Sequence, residues 1–399
     1  MKILIDFFKR IHTAILLFVI ITISVSCSGK DEPPHPDGKP EPLSYDKTVL
    51  VYMVADNNLN GYAHKDISEM KDGMRQLNVP EDCRWLVYYS GSDGRPRLME
   101  IDRNGEEKVL VEYSTSNLSV SVERMQKVIA DVKRLSPSDS YGLVLWSHGT
   151  GWLSEEGAMS MGSGEQPTMS PLSFGYDGVE AHRMKITSLA KALKGTEFEF
   201  IYFDCCHMST VEVAYEIRGA TDVMVASAAE LGVDGMPYNT NVAVLLRGDC
   251  KTAALNTYRF YAESSSYGCT ISVLDLSAIE NLASETKKVI AESAPLSDDY
   301  VPVKYFRPSV VPEGMYDMNH YINALCGADA TAYASWKLKF DDVVSYHVTT
   351  SRVYGLNASN FSGLACNIVR SKADEALQTD KHGYRETAWW LDVLEPALK

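Results

Sequence analysis

The sequence predicts an α/β fold: a mostly parallel central sheet with helices on both faces, followed by a mixed, partly helical C-terminal extension. Three observations lead there. Apolar runs of strand length alternate with stretches of helical spacing, in the order strand, helix, strand, helix, strand. One of these runs, Tyr141 to Gly151, ends on His148 and a glycine-rich turn. Another, Phe198 to Met208, ends abruptly in Asp204, Cys205 and Cys206. In a parallel sheet both ends open onto one crevice at the carboxyl edge, where such folds place their chemistry.

The elements follow in order. Lys47 to Asp56 is a first buried strand, and the Asp56–Gly61 segment is a turn whose Asn and Asp side chains suit a helix cap. Ala63 to Gln76 places Ile67, Met70 and Met74 on one helical face. Trp85 to Ser90 is a second strand, and Asn104-Gly105 marks a hairpin between 97–101 and 107–112. Val120 to Leu135 is a helix stopped by Ser136-Pro137. After the His148 strand, the region 151–177 is rich in Gly, Ser, Met and Pro and poorly periodic. Loops of that length in compact domains are usually functional or disordered. Ile186 to Leu193 is a helix stopped by Gly195, and it leads into the cysteine strand. Ser209 to Arg218 is the next helix, Val223 to Ser227 a short strand, and Gly235 to Tyr238 a turn. Past residue 240 only a strand at Thr270–Leu274 and a helix at Ala278–Glu292 stand out.

At 399 residues the chain suits one large α/β domain with additions, or two domains. A net charge of −15 argues against a nucleic-acid partner, which wants a basic face. The first residues carry Lys2, Lys9 and Arg10, then an apolar run from Ala14 to Val25 of signal-peptide length, ending Ser24-Val25-Ser26-Cys27. Small residues before a cysteine resemble a bacterial lipobox, and Ser-Gly-Lys-Asp-Glu at 28–32 resembles the export tag of surface lipoproteins. The expectation is a signal peptide over 1–27 with Cys27 lipidated. That makes an outer-membrane lipoprotein, at the cell surface or on the periplasmic face. An ordinary secretory signal cleaved nearby is the alternative. The proline-crowded stretch 28–46 reads as an extended linker. Of the eight cysteines, setting Cys27 aside leaves an odd number, so at least one thiol stays free. No spacing suggests zinc, and most of these cysteines read as small buried hydrophobes.

The two strand ends carry the chemistry. A cysteine beside a histidine can form a thiolate–imidazole pair, which activates sulfur as a nucleophile. His148 is the base, with the nucleophile at Cys205 or Cys206. The N–H of Gly149 can help hold an oxyanion, because a glycine lets the backbone come close to a ligand. Helix-cap oxygens at Ser209 and Thr210 suggest a helix N-terminus that favours a thiolate. Asp204 is an acceptor suited to a Lys or Arg side chain, or equally to capping a backbone N–H.

The segments Tyr141 to Trp152 and Phe203 to Glu216 resemble the two catalytic motifs of the clostripain-like (C11) cysteine peptidases, of the caspase–gingipain–legumain clan. The resemblance continues at Tyr52–Leu59, Met224–Glu230 and Gly235–Tyr238, and covers roughly residues 47–290. It implies a caspase-like sandwich over 47–290 with an extension over 291–399 packed on it. Residue by residue, it places the nucleophile on Cys206, with Cys205 standing where the family has Ala. It places the histidine on His148, the oxyanion-hole glycine on Gly149, with the Cys206 N–H as second donor, and the acid that binds a basic residue on Asp204. His207 departs from the family's Leu, and no Lys or Arg lies between Arg134 and Arg183, so the self-cleavage common in the family is not expected in that loop. The implied activity is a cysteine endopeptidase working through a His148/Cys206 dyad and an acyl-enzyme, on peptide or protein substrates, after Arg or Lys. A monomer is expected. No cofactor is required by the motifs. Calcium is possible, as in some relatives, although no EF-hand spacing occurs. Two rivals stand beside this reading. A serine hydrolase would use His148-Gly149-Thr150-Gly151 as an oxyanion loop, but no G-x-S-x-G elbow follows. A catalytically inactive surface lipoprotein would bind peptide or glycan on a peptidase-like fold.

Overall fold

The computed structural model describes residues 44–153, 173–178, 182–264, 266–297, 299–307, 314–369 and 383–398. They belong to one unit that begins at Leu43. Cys27, most of the expected linker and much of the glycine-rich 151–177 segment lie outside the described residues.

The first strand shows why the sheet is internal. In β1 (Tyr45–Ala55), Val49, Val51 and Met53 point to one face and Leu50, Tyr52 and Val54 to the other, and all six are buried. A strand apolar on both faces needs a layer of helices on each side. On the first face pack α1 (Asn60–Met74), through Ala63, Ile67, Met70 and Met74, and later α5 (Tyr238–Leu246) and α6 (Cys250–Ser264). On the second face pack α2 (Val122–Leu135), α3 (Ile186–Leu193), α4 (Val211–Ile217) and α7 (Ile279–Glu292).

The sheet has nine strands. At its centre β2 (Cys83–Gly91), β1, β5 (Ser138–Trp146), β8 (Phe200–Asp204) and β9 (Val223–Ala226) run parallel in that spatial order. Antiparallel strands finish both sides. β3 (Arg97–Ile101) and β4 (Glu107–Glu112) form the expected hairpin beyond β2. β10 (Thr270–Asp275) and β12 (Val344–Thr349) lie beyond β9. A short ribbon of β6 (Phe174–Asp177) and β7 (His182–Met184) stands apart from the sheet, as does the small β11 (Tyr316–Asp317).

Two features differ from the sequence reading. β1 begins at Tyr45, inside the stretch read as linker, because Tyr45 and Asp46 donate their N–H groups to the Pro137 and Asp82 carbonyls at 2.9 and 2.7 Å. The chain beyond residue 290 also does more than pack on the sheet. It supplies the edge strand β12, plus α8 (Met318–Cys326) and α9 (Ala330–Val343). A later segment crosses to the centre: the Gly363 carbonyl accepts from Ser209 Oγ at 2.8 Å and from Ser272 Oγ at 2.6 Å. Next to it, the Ala365 N–H donates to the Ser209 carbonyl at 2.9 Å.

The register positions the chemistry. Met53 pairs with Trp146, and Trp146 with Asp204, so β1, β5 and β8 reach their carboxyl ends level with one another. The order of connection reverses around β1, whose two neighbours are β2 and β5. Such a switch point is where an open α/β sheet leaves a crevice. Asn58, His148 and Cys206 all follow these strand ends.

Candidate active site

The histidine side is built from β1, β5 and β6. Ser147 Oγ donates to the Val54 carbonyl at 2.8 Å and pins the turn after β5 to β1. The His148 carbonyl accepts from the Gly175 N–H at 3.0 Å, and the Thr150 N–H donates to Ser173 O at 3.1 Å, which ties the turn to the β6 ribbon. In this bridge between Gly149 and Phe174 the bonds run through the flanking residues, so the Gly149 N–H points away from Phe174. The imidazole stands edge-on to Tyr176, with ring centroids 5.9 Å apart, and its Nε2 lies 2.8 Å from Asn58 Oδ1. With that amide oxygen accepting, the ring hydrogen sits on Nε2, and in the neutral ring Nδ1 is the acceptor. Burial, helped by the charge of Arg183, lowers the His148 pKa to about 4, so the free imidazole is neutral.

The cysteine side alternates as a strand end should. Cys205 turns to one face of the sheet, buried, its thiol donating to the Leu145 carbonyl at 3.1 Å. Cys206 turns to the other face and is partly exposed. Its sulfur lies between the two backbone groups of Leu231, accepting from the N–H at 3.3 Å and donating to the carbonyl at 3.5 Å. His207 follows with φ +58°, a left-handed conformation uncommon outside glycine, held by its N–H donating to Ala229 O at 2.9 Å. Thr210, as expected, caps the next helix, its hydroxyl accepting from the Val213 N–H. The thiolate-favouring helix end does not materialise. The helix starts only at Val211, and burial together with Glu230 and Asp204 pushes the Cys206 thiol up to about 12, against the opposing pull of the Leu231 N–H and Arg307.

The two sides touch at Gly149. A Cβ there would fall 2.6 Å from the Cys206 carbonyl oxygen and 2.9 Å from Cys205 Cβ, so only glycine lets the strand ends meet this closely. His148 and Cys206 line one cleft, with Leu59, Trp146, Asp204 and Gly235. At its floor, buried Asp204 accepts from the Met236 N–H at 3.0 Å and the Tyr238 hydroxyl at 2.9 Å. It therefore caps a backbone N–H, one of its two expected roles, while still lining the cleft. Burial outweighs those bonds and raises its pKa to about 6.

The sequence profile of the clostripain family matches residues 51–374. The chain belongs to the clostripain family. It is a clostripain-like cysteine peptidase, and its fold is similar to solved C11 structures. One is a secreted C11 cysteine protease from Bacteroides thetaiotaomicron, 26% identical, covering 88% of this chain and all (100%) of its own, with a TM-score of 0.74. A second is a secreted C11 protease from the same organism in complex with an irreversible peptide inhibitor, 27% identical over 88% of this chain and 100% of its own, TM-score 0.73. A third is an inactive zymogen C11 protease from Parabacteroides distasonis, 27% identical over 88% of this chain and 99% of its own, TM-score 0.71. A search of curated proteins found no match.

In this clostripain-family chain, three contributors to the site were not visible in the sequence. Asn58 was read as a turn and capping residue. The turn role holds through Asn57, whose Oδ1 accepts from the Leu59 N–H, while Asn58 reaches His148 instead. Asp66 was counted only within a helix, yet its carboxyl accepts from Trp146 Nε1 at 2.7 Å. The third contributor comes from the C-terminal part. Arg307 makes a two-pronged ion pair with Glu230 at 2.7 and 2.6 Å and stacks on Tyr354, 4.9 Å from its centroid. A reason to look at Asn58 and Asp66 was present, since both lie near the strand end that faces His148. Nothing in the local pattern marks Arg307. Among the described residues, no group of three or more His, Cys, Asp or Glu is placed to hold a metal ion, and no helix is long and apolar enough to cross a membrane.

Proposed function

We propose that the chain is an endopeptidase that cleaves after Arg or Lys, with Cys206 as nucleophile and His148 as its proton partner. The observation that carries this is the buried carboxyl of Asp204 at the floor of the same cleft that His148 and Cys206 line. A cationic side chain entering the cleft meets that carboxyl while its own carbonyl lies over the sulfur.

The mechanism follows from the resting charges. With the imidazole pKa lowered to about 4 and the thiol raised to about 12, the pair is neutral before substrate binds. His148 Nδ1 takes the thiol proton as the sulfur–carbon bond forms, and Asn58 holds the ring for that transfer. The N–H groups of Gly149 and Cys206 receive the oxyanion. The imidazolium then gives its proton to the leaving amine as the carbon–nitrogen bond breaks, and water releases the acyl-enzyme. Leu231 must leave the sulfur for this to begin. On the sequence side, the lipobox-like end at Cys27 supports an outer-membrane lipoprotein, at the surface or on the periplasmic face; a monomer acting on peptides or proteins completes the proposal.

A second reading has one observation in its favour. The thiol of Cys206 is protonated and engaged with Leu231, as it would be in an inert peptide- or glycan-binding lipoprotein. One experiment separates the two. Protein lacking residues 1–27 is assayed on fluorogenic peptides ending in Arg, Lys, Asp or Leu, with and without calcium, alongside Cys206→Ala and Cys205→Ala. Cleavage after Arg or Lys that vanishes with Cys206→Ala and survives Cys205→Ala is the expected result. A folded wild type that cuts none of the peptides and takes no thiol-directed peptide label is the binding protein. Loss of activity only with Cys205→Ala moves the nucleophile by one residue.

A further inference from the structure

The loop that carries Leu231 is tied down on both sides of the sulfur, and one tie is unlike the others. Before it, the Ala229 carbonyl accepts from the His207 N–H and from Ser227 Oγ, both at 2.9 Å. After it, the Gly232 carbonyl accepts from the Tyr261 hydroxyl at 2.9 Å. Only Glu230 and Leu231 lie between these points. Leu231 sets its N–H and carbonyl against Cys206 Sγ at 3.3 and 3.5 Å. Glu230 is buried, its side chain 10% exposed, and both carboxylate oxygens go to Arg307, 2.7 Å from Nε and 2.6 Å from Nη2. A fork-to-carboxylate pair of this kind is strong and fixes direction as well as distance.

Arg307 is aimed from the C-terminal part of the chain. Its guanidinium lies 4.9 Å from the centroid of Tyr354, which in turn stacks on Tyr267 with centroids 4.9 Å apart. Tyr354 sits at the turn of a hairpin between β13 (Arg352–Val353) and β14 (Leu356–Asn357), and its N–H donates to the Tyr267 carbonyl at 2.6 Å. Its φ of +47° is one that an aromatic residue rarely adopts. Such a backbone persists only where its surroundings over-determine it. The chain accepts local strain there, and the result is an aromatic surface beside Arg307.

We propose that Arg307 is a positioning residue and that its ion pair with Glu230 is a latch on the thiol, holding Leu231 on the Cys206 sulfur until substrate displaces it. This role rests on Cys206 being the nucleophile, as proposed above. Leu231 and Cys206 both line the cleft, so a peptide that seats its carbonyl on the sulfur displaces Leu231 and pulls on Glu230. Apparent affinity is then reduced by the small fraction of molecules that stand open. Charge alone would act differently. Glu230 raises the Cys206 pKa and Arg307 lowers it. Through charge the two residues oppose each other, whereas through the latch they act together. Removing Arg307 leaves Glu230 a buried carboxylate without its cation, which turns out to water or takes up a proton. Either change ends its hold on the loop.

The test is the rate at which iodoacetamide alkylates Cys206 in the full chain, read by mass spectrometry at about pH 8, with Cys205 and Cys366 as buried controls. Arg307→Gln and Glu230→Gln are each expected to speed alkylation of Cys206 about tenfold, the worth of a charge-assisted pair, and to leave the two controls as slow as in the wild type. Arg307→Lys keeps the charge and loses the fork, and its rate is expected to fall between. With a peptide substrate, the two glutamine variants should lower KM with kcat little changed. Slower alkylation in Arg307→Gln with faster alkylation in Glu230→Gln means that the pair reaches the sulfur through charge alone, and overturns the latch. If Arg307→Gln does not fold, Tyr354→Leu decides, since it loosens Arg307 without removing a charge: faster alkylation supports the latch and an unchanged rate overturns it. Peptide cleavage that survives Cys206→Ala overturns the nucleophile reading and the latch with it, whereas wild-type or slower alkylation in both glutamine variants overturns the latch alone.

Discussion

The two shores of the cleft are held in opposite ways. His148 is oriented by a side chain, Asn58, and by the ribbon that crosses its turn. Cys206 is engaged at its sulfur, which lies between the N–H and carbonyl of Leu231. One side is preorganised and the other is occupied. Under the proposed dyad, what the difference teaches is where activation must act. The imidazole needs nothing moved, whereas the sulfur must lose the loop that carries Leu231 and, next to it, Glu230 with its Arg307 partner.

This contrast can be broken at several points. The largest effect concerns the sulfur. With its pKa raised to about 12, alkylation of Cys206 in the free enzyme by iodoacetamide is expected to speed up roughly a thousandfold between about pH 7 and 10, following the thiolate fraction. Mass spectrometry against Cys206→Ala identifies the site. A rate that is level from about pH 5 to 8 would show a preformed thiolate–imidazolium pair and erase the difference between the shores. Next, His148→Ala should lower kcat by roughly a thousandfold with little change in melting temperature, since the half-buried ring lines the cleft and packs into neither core cluster. Gly149→Ala is expected to cost about a hundredfold in kcat and to lower the melting temperature as well. Its Cβ would press on the Cys206 carbonyl at 2.6 Å and displace an oxyanion donor. Asn58→Ala sharpens the comparison: a loss of about tenfold in kcat at unchanged KM is expected if orientation is all that Asn58 supplies. Smallest is Cys205→Ala, which empties a little buried space near Leu145 and should lower stability by about 1 kcal/mol while activity persists.

The centre of the molecule was legible because its signals are local. β1, β5 and β8 are apolar runs bounded by turns, and His148, Gly149, Asp204 and Cys206 sit where those runs stop. The alternation of a strand also explains why the adjacent cysteines part ways, one facing each layer. Legibility failed where helices are buried all round. α5 is apolar on nearly every side, so it lacks the period that marks a surface helix, and it went unread. It failed again where contact depends on distant pairing. Arg307 reaches Glu230 from far along the chain, and β12 finds its place only through β10. The pKa expectation for Cys206 erred for a related reason. A helix end can be read locally, but the depth of burial that outweighs it is a property of the whole fold.

The bonds from Ser209 and Ser272 to the Gly363 carbonyl have a consequence for the order in which the protein is made. Ser209 lies just past Cys206, and its brace arrives 154 positions later in the chain. Closing so long a loop costs more conformational entropy than forming the local helices, and contacts of such sequence separation are slow to form. A chain still on the ribosome can carry Cys206 long before it carries the residue that steadies the turn behind it. Assembly of the reactive turn is thereby tied to delivery of nearly the entire polypeptide.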